Sequence, residues 1–402
     1  MRGNPDARQG AIALHGFYFL YYGLQGVSIP FLPLWFASRG LDPALIGLIV
    51  ATSFLPKILS TPVVAHVADQ TGRAHGLIAS ALAASLILFI CYPFSQTPAW
   101  LLAVTLLLNA VFPAVLPLMD RMAIASGRGQ GNSYTVMRAC GSLGFATVTV
   151  AGGYLIKTFD ADWVMWLSIL LIVACLACVR LLPHAARPAG AQLRADASRA
   201  DAAGADRVRF PMREVLRDRP LLMCIAAASL VQASNGFLYS YSTLHWTANG
   251  LSTAQISLLW VVGVTSEVVF FFLAPRILAR TGAQWLILTS AIMTAIRWAG
   301  LSASTDPAVI GGLQVLQCFT LAGNNAAIMW YITRHVPAAC KTSAIALYAL
   351  LSGGVFMFAS IQLGGAVYRS YAPGGFLVMA VCAVGAVPLV VYSDRLRRGL
   401  GG

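Results

Sequence analysis

Five ionisable side chains stand where ionisation is costly. Lys57, Asp120, Arg138, Glu267 and Arg297 each lie inside a long apolar run. A charge at the centre of a membrane-crossing helix costs about 2.5–3.5 kcal/mol on insertion scales, so each of these residues needs a reason to be there. Their spacing suggests pairing. Glu267 and Arg297 are each 15 residues from Gly282, the middle of a short connection between two apolar runs. In an antiparallel helix hairpin both sit roughly 20 Å from the turn, at about 1.5 Å per residue. Asp120 and Arg138 are likewise each nine residues from Gly129, within a Gly-Arg-Gly-Gln-Gly turn. Each pair joins a carboxylate to a guanidinium, the cation best suited to a buried ion pair. Glu267 is one of only two glutamates in the chain. A shielded carboxylate beside an arginine can take up or release a proton as its partner moves, which is what proton-coupled transport requires.

Neutral polar groups surround these charges. Gln25, Gln232, Asn235, Gln314, Gln317, Asn324 and Asn325 fall inside apolar runs, where amides line cavities or bond across helices. Aromatic residues accompany them, including Phe17-Tyr18-Phe19, Tyr21-Tyr22, Tyr239 and Tyr241. His15 and His245 lie near the ends of their runs and read as interfacial. Three buried cations (Lys57, Arg138, Arg297) against two buried acids (Asp120, Glu267) leave one positive charge for an anionic ligand to match.

The elements that hold these residues follow from composition. Only 10% of the 402 residues are charged and 58% are hydrophobic, far from the roughly 25% charged content of soluble domains. A bilayer-crossing helix needs about 20 mostly apolar residues. Twelve such windows occur: 11–36, 44–68, 75–95, 98–122, 133–156, 161–182, 220–246, 254–278, 284–303, 306–333, 342–368 and 373–393. The expected fold is therefore an all-α membrane protein of twelve transmembrane helices in two pseudo-symmetric six-helix bundles, 1–182 and 220–402. The Ala/Arg/Asp-rich stretch 183–219 divides them as a cytoplasmic linker, and its last part, Phe210–Arg219, reads as a short amphipathic surface helix.

The basic residues orient the chain. Of 27 Lys and Arg, 21 fall on the side holding both termini and the linker, and only Arg39, Lys157 and Arg369 on the other. That asymmetry predicts cytoplasmic termini in a bacterial inner membrane. It also accounts for the net charge of +13 without nucleic acid, since the arginines are spread over many loops. The first apolar run lacks a small-residue cleavage site, so no cleavable signal peptide is expected. Cys175 and Cys178 form a CxxC inside an apolar run with no second pair and no nearby His, which reads as small hydrophobes; no metal and no cofactor are expected.

Sliding the chain against itself by 210 residues superposes Gly40-Leu41 on Gly250-Leu251, Ile46 on Ile256, and Thr71-Gly72 on Thr281-Gly282. At that offset Lys57 falls on Glu267, one ionisable group at the same depth of each half's second helix. Duplicated halves with polar groups near the midplane are the plan of a secondary transporter, whose two bundles rock about a central site.

Several motifs carry a family likeness. The stretch Ala65-His66-Val67-Ala68-Asp69-Gln70-Thr71-Gly72-Arg73 resembles the signature loop of the major facilitator superfamily, with Asp69, Gly72 and Arg73 matching. Pro30-Phe31-Leu32-Pro33-Leu34-Trp35-Phe36, Pro117-Leu118-Met119-Asp120, and Tyr134, Arg138, Gly141 and Ser142 resemble the lactose-permease-like branch. Within it, with Glu267 and Arg297-Trp298, the chain looks most like bacterial 3-phenylpropionate permeases. The resemblance implies substrate contacts at Asp120 and Arg138, proton coupling at Glu267 and Arg297, and a conformational role for the Asp69–Arg73 loop. Lys57 stands where phenylpropionate permeases have a basic residue, which suggests a substrate carboxylate. Gln317 stands where the branch has a His, and span ten contains no acid, so Glu267 is left to carry coupling.

The resulting expectation is a monomeric proton symporter that imports a small aromatic carboxylic acid, with Lys57, Asp120, Arg138, Asn235 and Gln317 binding it. Its partners are then the substrate, protons and the lipid bilayer. A sugar or nucleoside symporter and a proton-antiport exporter are the alternatives. No HExxH, GxSxG or Walker A pattern supports an enzyme.

Overall fold

Apolar runs this long satisfy their backbone groups internally in lipid only as helices or closed barrels, and the chain takes the first course. The computed structural model describes residues 5–71, 74–94, 97–125, 132–182 and 211–400. No side chain is described at 5–9, 11, 57–59, 61, 62, 65, 69, 124, 125, 132–135, 211 or 398–400. The described residues are helical, with no strand among them. Two compact units are formed, one from residues 1–41 and 55–204, the other from 42–54 and 205–402.

The first unit contains α1 (Pro5–Ser38), most of α2 (Pro43–Thr71), α3 (Ala74–Cys91), α4 (Pro98–Val111), α5 (Val115–Ala125), α6 (Asn132–Thr158) and α7 (Trp163–Leu181). Between α4 and α5 the chain tightens into a 3-10 turn, Phe112–Ala114, at Pro113, which has no N–H to continue the ladder. Against α1 lie α6 and α7. Small residues set the α1–α6 distance. A Cβ on Gly144 would collide with the Phe19 carbonyl oxygen, and one on Gly26 would lie 2.6 Å from the Phe145 carbonyl. Thr149 Oγ1 donates to the Gly26 carbonyl at 2.8 Å. Close backbone approach with polar cross-links is how membrane helices associate, since lipid removes most of the hydrophobic drive between them.

The second unit contains the start of α2, then α8 (Pro211–Arg217), α9 (Arg219–Ala233), α10 (Thr243–Ala248), α11 (Thr253–Thr281), α12 (Ala283–Ala303), α13 (Pro307–Val315), α14 (Asn324–His335), α15 (Ala338–Leu350), α16 (Phe356–Tyr368) and α17 (Gly374–Leu400). Three π turns, Leu238–Ser242, Phe319–Gly323 and Leu351–Val355, join α9 to α10, α13 to α14 and α15 to α16. The last helix, α17, packs on α9, α12 and α16. Hydrogen bonds from Ser393 Oγ to the Pro220 carbonyl (2.8 Å) and from Ser360 Oγ to the Ala233 carbonyl (2.6 Å) pin α17 and α16 to α9. The short helix expected at the end of the linker is α8, with Val215 buried and Met212 and Leu216 exposed.

Among the described residues, each of the twelve apolar windows overlaps a helix or a series of helical segments, although α3 ends at Cys91, short of the window's end at 95. Among the described residues, nine stretches are long and apolar enough to cross a membrane by length and composition. Helices α1 and α2 and the run from α13 to α14 are helical but fall outside that set. Large apolar side chains point outward, among them Ile87, Trp166, Leu170, Phe272 and Val381, a surface suited to lipid and not to water.

The 210-residue offset survives in local geometry. Gly40 and Gly250 both adopt positive φ, +79° and +87°, and end their helices in the same way. In each case the following Leu N–H reaches back five residues, Leu41 to the Phe36 carbonyl (3.3 Å) and Leu251 to the Trp246 carbonyl (3.0 Å). That is a Schellman closure, which the left-handed glycine permits. The next helix starts alike in both halves: Asp42 Oδ1 accepts from the Leu45 N–H and Ser252 Oγ from the Gln255 N–H.

Candidate functional site

Glu267 and Arg297 lie in the second unit, and a third helix comes between them. Gln317, two residues past the end of α13, donates from Nε2 to Glu267 Oε1 at 2.6 Å. Its Oε1 accepts from Arg297 Nη2 at 2.7 Å. The direct ion pair expected from spacing is thus replaced by an amide bridge. Equal distance from a turn fixes depth but not direction around the helix axis, and the gap at that depth is filled by Gln317. One amide satisfies both charges because it presents a donor to the carboxylate and an acceptor to the guanidinium.

The guanidinium is held further. Gln314 Oε1 accepts from Arg297 Nη2 (2.6 Å) and Nε (3.2 Å), and Gln314 Nε2 is anchored on the Leu259 carbonyl (3.4 Å). The Arg297 guanidinium also lies 4.3 Å from the ring centroid of its neighbour Trp298, within cation–π range. Trp298 is fixed in turn by a bond from Nε1 to Ser234 Oγ at 2.9 Å. Arg297 is completely buried, yet its Nη1 has no hydrogen-bond partner. Leaving a buried charged donor unmatched costs more than leaving a neutral one, so Nη1 calls for a partner such as a water, an ion or a ligand.

Two features missed in the sequence make this geometry possible. A Cβ on Gly263 would lie 2.7–3.0 Å from the Gln317 amide atoms, so glycine there lets the amide cross α11 one turn before Glu267. The π turn Phe319–Gly323 begins two residues after Gln317, and Leu238–Ser242 follows Asn235 and carries Tyr239 and Tyr241. Each π turn adds a residue to the helical turn and rotates the faces on either side of it, which aims side chains that a regular helix would not. Asn235 is buried; its Nδ2 donates to the Gln232 carbonyl at 3.1 Å, while its Oδ1 is unpartnered. Trp260 lies two turns before Glu267 on α11. Its signal in the sequence was the spacing of Trp260, Gly263 and Glu267, which places them on one helix face.

In the first unit Asp120 and Arg138 do not pair with each other. Asp120 accepts a hydrogen bond from the hydroxyl of Tyr18, and the Arg138 guanidinium lies 5.3 Å from the Tyr22 ring centroid. Tyr18 and Tyr22 are one turn apart on α1, so this helix supplies a partner to each. Arg138 is exposed and Asp120 half-buried, unlike the fully buried Arg297. The side chains of Lys57 and Asp69 and the whole of Gly72 and Arg73 lie outside the described residues. No cluster of His, Cys, Asp and Glu suited to a metal occurs among the described residues.

Comparison with known proteins fits this helical plan. Residues 11–378 match the family model described as "MFS_1 like family". The chain belongs to that family. It is a multi-pass membrane transporter of the major facilitator type, and not an enzyme. A relative from Escherichia coli strain K12, "Probable 3-phenylpropionic acid transporter", is 28% identical over 94% of this chain and 97% of its own length. The maltose permease of Geobacillus stearothermophilus is 25% identical over 95% of this chain and 94% of its own. Among solved structures, nucleoside transporter NupG superposes with a TM-score of 0.78 over 96% of this chain and 98% of its own, at 18% identity. The D-xylose–proton symporter gives 0.69 over 94% and 95%, at 13% identity. These two likenesses are ones of fold. In this transporter the bridged charges Glu267 and Arg297 stand on two stretches long and apolar enough to cross a membrane, Thr253–Thr281 and Ala283–Ala303.

Proposed function

We propose that this transporter is a proton symporter that imports a small aromatic carboxylic acid by alternating access across the bacterial inner membrane, with both termini cytoplasmic. The observation that carries the reading is Arg297: a fully buried guanidinium, oriented by two glutamines and a tryptophan, with Nη1 free. A planar fork held in this way suits a carboxylate, which accepts two parallel N–H bonds. Glu267 supplies the proton-accepting group. Gln317 bridges Glu267 to Arg297, so a change in the charge of Glu267 is felt at the guanidinium through one side chain. Asn235 is assigned to the substrate, as are Asp120, Arg138 and Lys57, and the Asp69–Arg73 loop to the conformational cycle. The 3-phenylpropionic acid named for one relative is the natural first candidate.

Binding to the purified transporter tests the substrate class. 3-Phenylpropionate is expected to bind, and its uncharged amide to bind at least about 10-fold more weakly, since a charge-assisted hydrogen bond contributes about 1.5–3 kcal/mol. Equal binding of acid and amide, or binding of maltose or a nucleoside with neither, would favour a neutral substrate instead.

A further inference from the structure

Beside the bridged charges the second unit holds a column of three nearly parallel rings. Phe54 and Tyr239 have centroids 6.2 Å apart with planes 23° from parallel. Tyr239 and Trp260 are also 6.2 Å apart, at 22°. They come from α2, the π turn Leu238–Ser242 and α11, three separate segments brought to one level. Tyr239, the middle ring, lies within electrostatic range of both Glu267 and Arg297. Trp260 shares its helix face with Gly263 and Glu267, about 10 Å before the carboxylate along the axis at about 1.5 Å per residue.

Trp260 has one further property. It is 2% exposed and its Nε1 has no hydrogen-bond partner. A buried indole usually finds an acceptor for its N–H, as Trp298 does on Ser234, whereas Trp260 and Trp246 have none. Around Tyr239, then, are the aromatic face of Trp260 with its unmatched donor and, within electrostatic range, a guanidinium that also has an unmatched donor. An aryl carboxylic acid with an oxygen on its ring would match all three: carboxylate to Arg297, ring to the column, ring oxygen to the indole N–H.

We infer that Phe54, Tyr239 and Trp260 form the ring-recognition subsite, and that Trp260 Nε1 selects aryl acids carrying a hydroxyl or methoxy oxygen on the ring. This rests on the carboxylate reading of Arg297 and narrows it to oxygen-bearing aryl acids. Trp260 is a specificity-determining residue with no part in proton transfer.

The test is competitive uptake in proteoliposomes of 3-phenylpropionate, 3-(4-hydroxyphenyl)propionate, 3-(3-hydroxyphenyl)propionate and heptanoate, by wild type, Trp260→Phe and Trp260→Leu. Wild type is expected to prefer at least one hydroxylated acid over 3-phenylpropionate by about 3- to 10-fold, the range of one neutral hydrogen bond. Trp260→Phe keeps the preference of aryl over aliphatic acid and loses the hydroxyl preference. Trp260→Leu reduces the aryl preference by about 3- to 10-fold while heptanoate uptake changes little. Unchanged ring selectivity in both variants, with acids still carried, overturns this inference and leaves the carboxylate reading standing. Transport of no acid by wild type overturns both. Trp260→Phe keeps a ring of nearly the same size, so loss of folding in the leucine variant still leaves the hydroxyl preference to decide.

Discussion

Glu267→Gln is expected to abolish accumulation of substrate against its gradient while leaving exchange of labelled for unlabelled substrate within about threefold of wild type. The glutamine keeps the volume and one acceptor oxygen, so Gln317 Nε2 retains a partner and the bridge to Arg297 can persist. What disappears is the capacity to take up a proton. Uptake driven by an imposed pH gradient, compared with counterflow at equal pH on both sides, separates the two activities. Gradient-driven accumulation by the variant would assign coupling elsewhere, with Asp120, held by Tyr18, next to be replaced.

The second large effect concerns Arg297. Arg297→Gln is expected to weaken binding of a carboxylate substrate by about 100-fold or more, because a desolvated charge-assisted pair is lost. The single variant also leaves Glu267 in buried surroundings without its bridged cation, and breaking a buried charge pair costs about 3–5 kcal/mol of stability. Loss of binding could then reflect loss of folding alone. The double variant Glu267→Gln with Arg297→Gln removes both charges and is expected to recover thermal stability without recovering binding. Arg297→Lys is expected to keep part of the affinity, since the charge remains while the fork that engages both Gln314 and Gln317 is gone. Carboxylate binding by the double variant at wild-type affinity would remove Arg297 from the substrate site. Isothermal titration and thermal melting of the same detergent-solubilised samples read both quantities.

Much of the helical plan could be read from the residues, for a clear physical reason. Twenty-residue apolar windows have few ways to fold in lipid, and those from Pro98 to Tyr368 coincide with helical runs. The 210-residue offset was legible because Gly40 and Gly250 occupy a left-handed position that few other residues tolerate. Helix irregularities were harder to see. Pro113 announces the break between α4 and α5, but the π turns Leu238–Ser242, Phe319–Gly323 and Leu351–Val355 contain no proline. They turn the faces on which Asn235, Tyr239 and Gln317 sit.

The site was legible in its parts and not in its wiring. Burial of a charge in an apolar run is a signal any reading of composition detects, so Glu267, Arg297, Asp120 and Arg138 stand out at once. Pairing them by distance from a turn gave depth alone. Gln317 inserts between one pair, and Tyr18 and Tyr22 of α1 engage the members of the other separately. Gly263 and Trp260 escaped notice because a glycine and a tryptophan are ordinary residues in such a helix. Their spacing puts both on the face of Glu267, and the amide crossing over one and the unmatched N–H of the other set them apart.

The central claim is that a proton gradient drives an aromatic carboxylate through this protein, and accumulation in proteoliposomes tests it most directly. With the interior alkaline and the membrane potential clamped, labelled 3-phenylpropionate or a ring-hydroxylated relative is expected to rise severalfold above its equilibrium level and to fall back when a protonophore is added. The undissociated acid crosses bilayers unaided, so protein-free liposomes and Arg297→Gln proteoliposomes set the baseline. Accumulation no greater than that baseline, together with saturable uptake of a sugar or a nucleoside, would contradict the account.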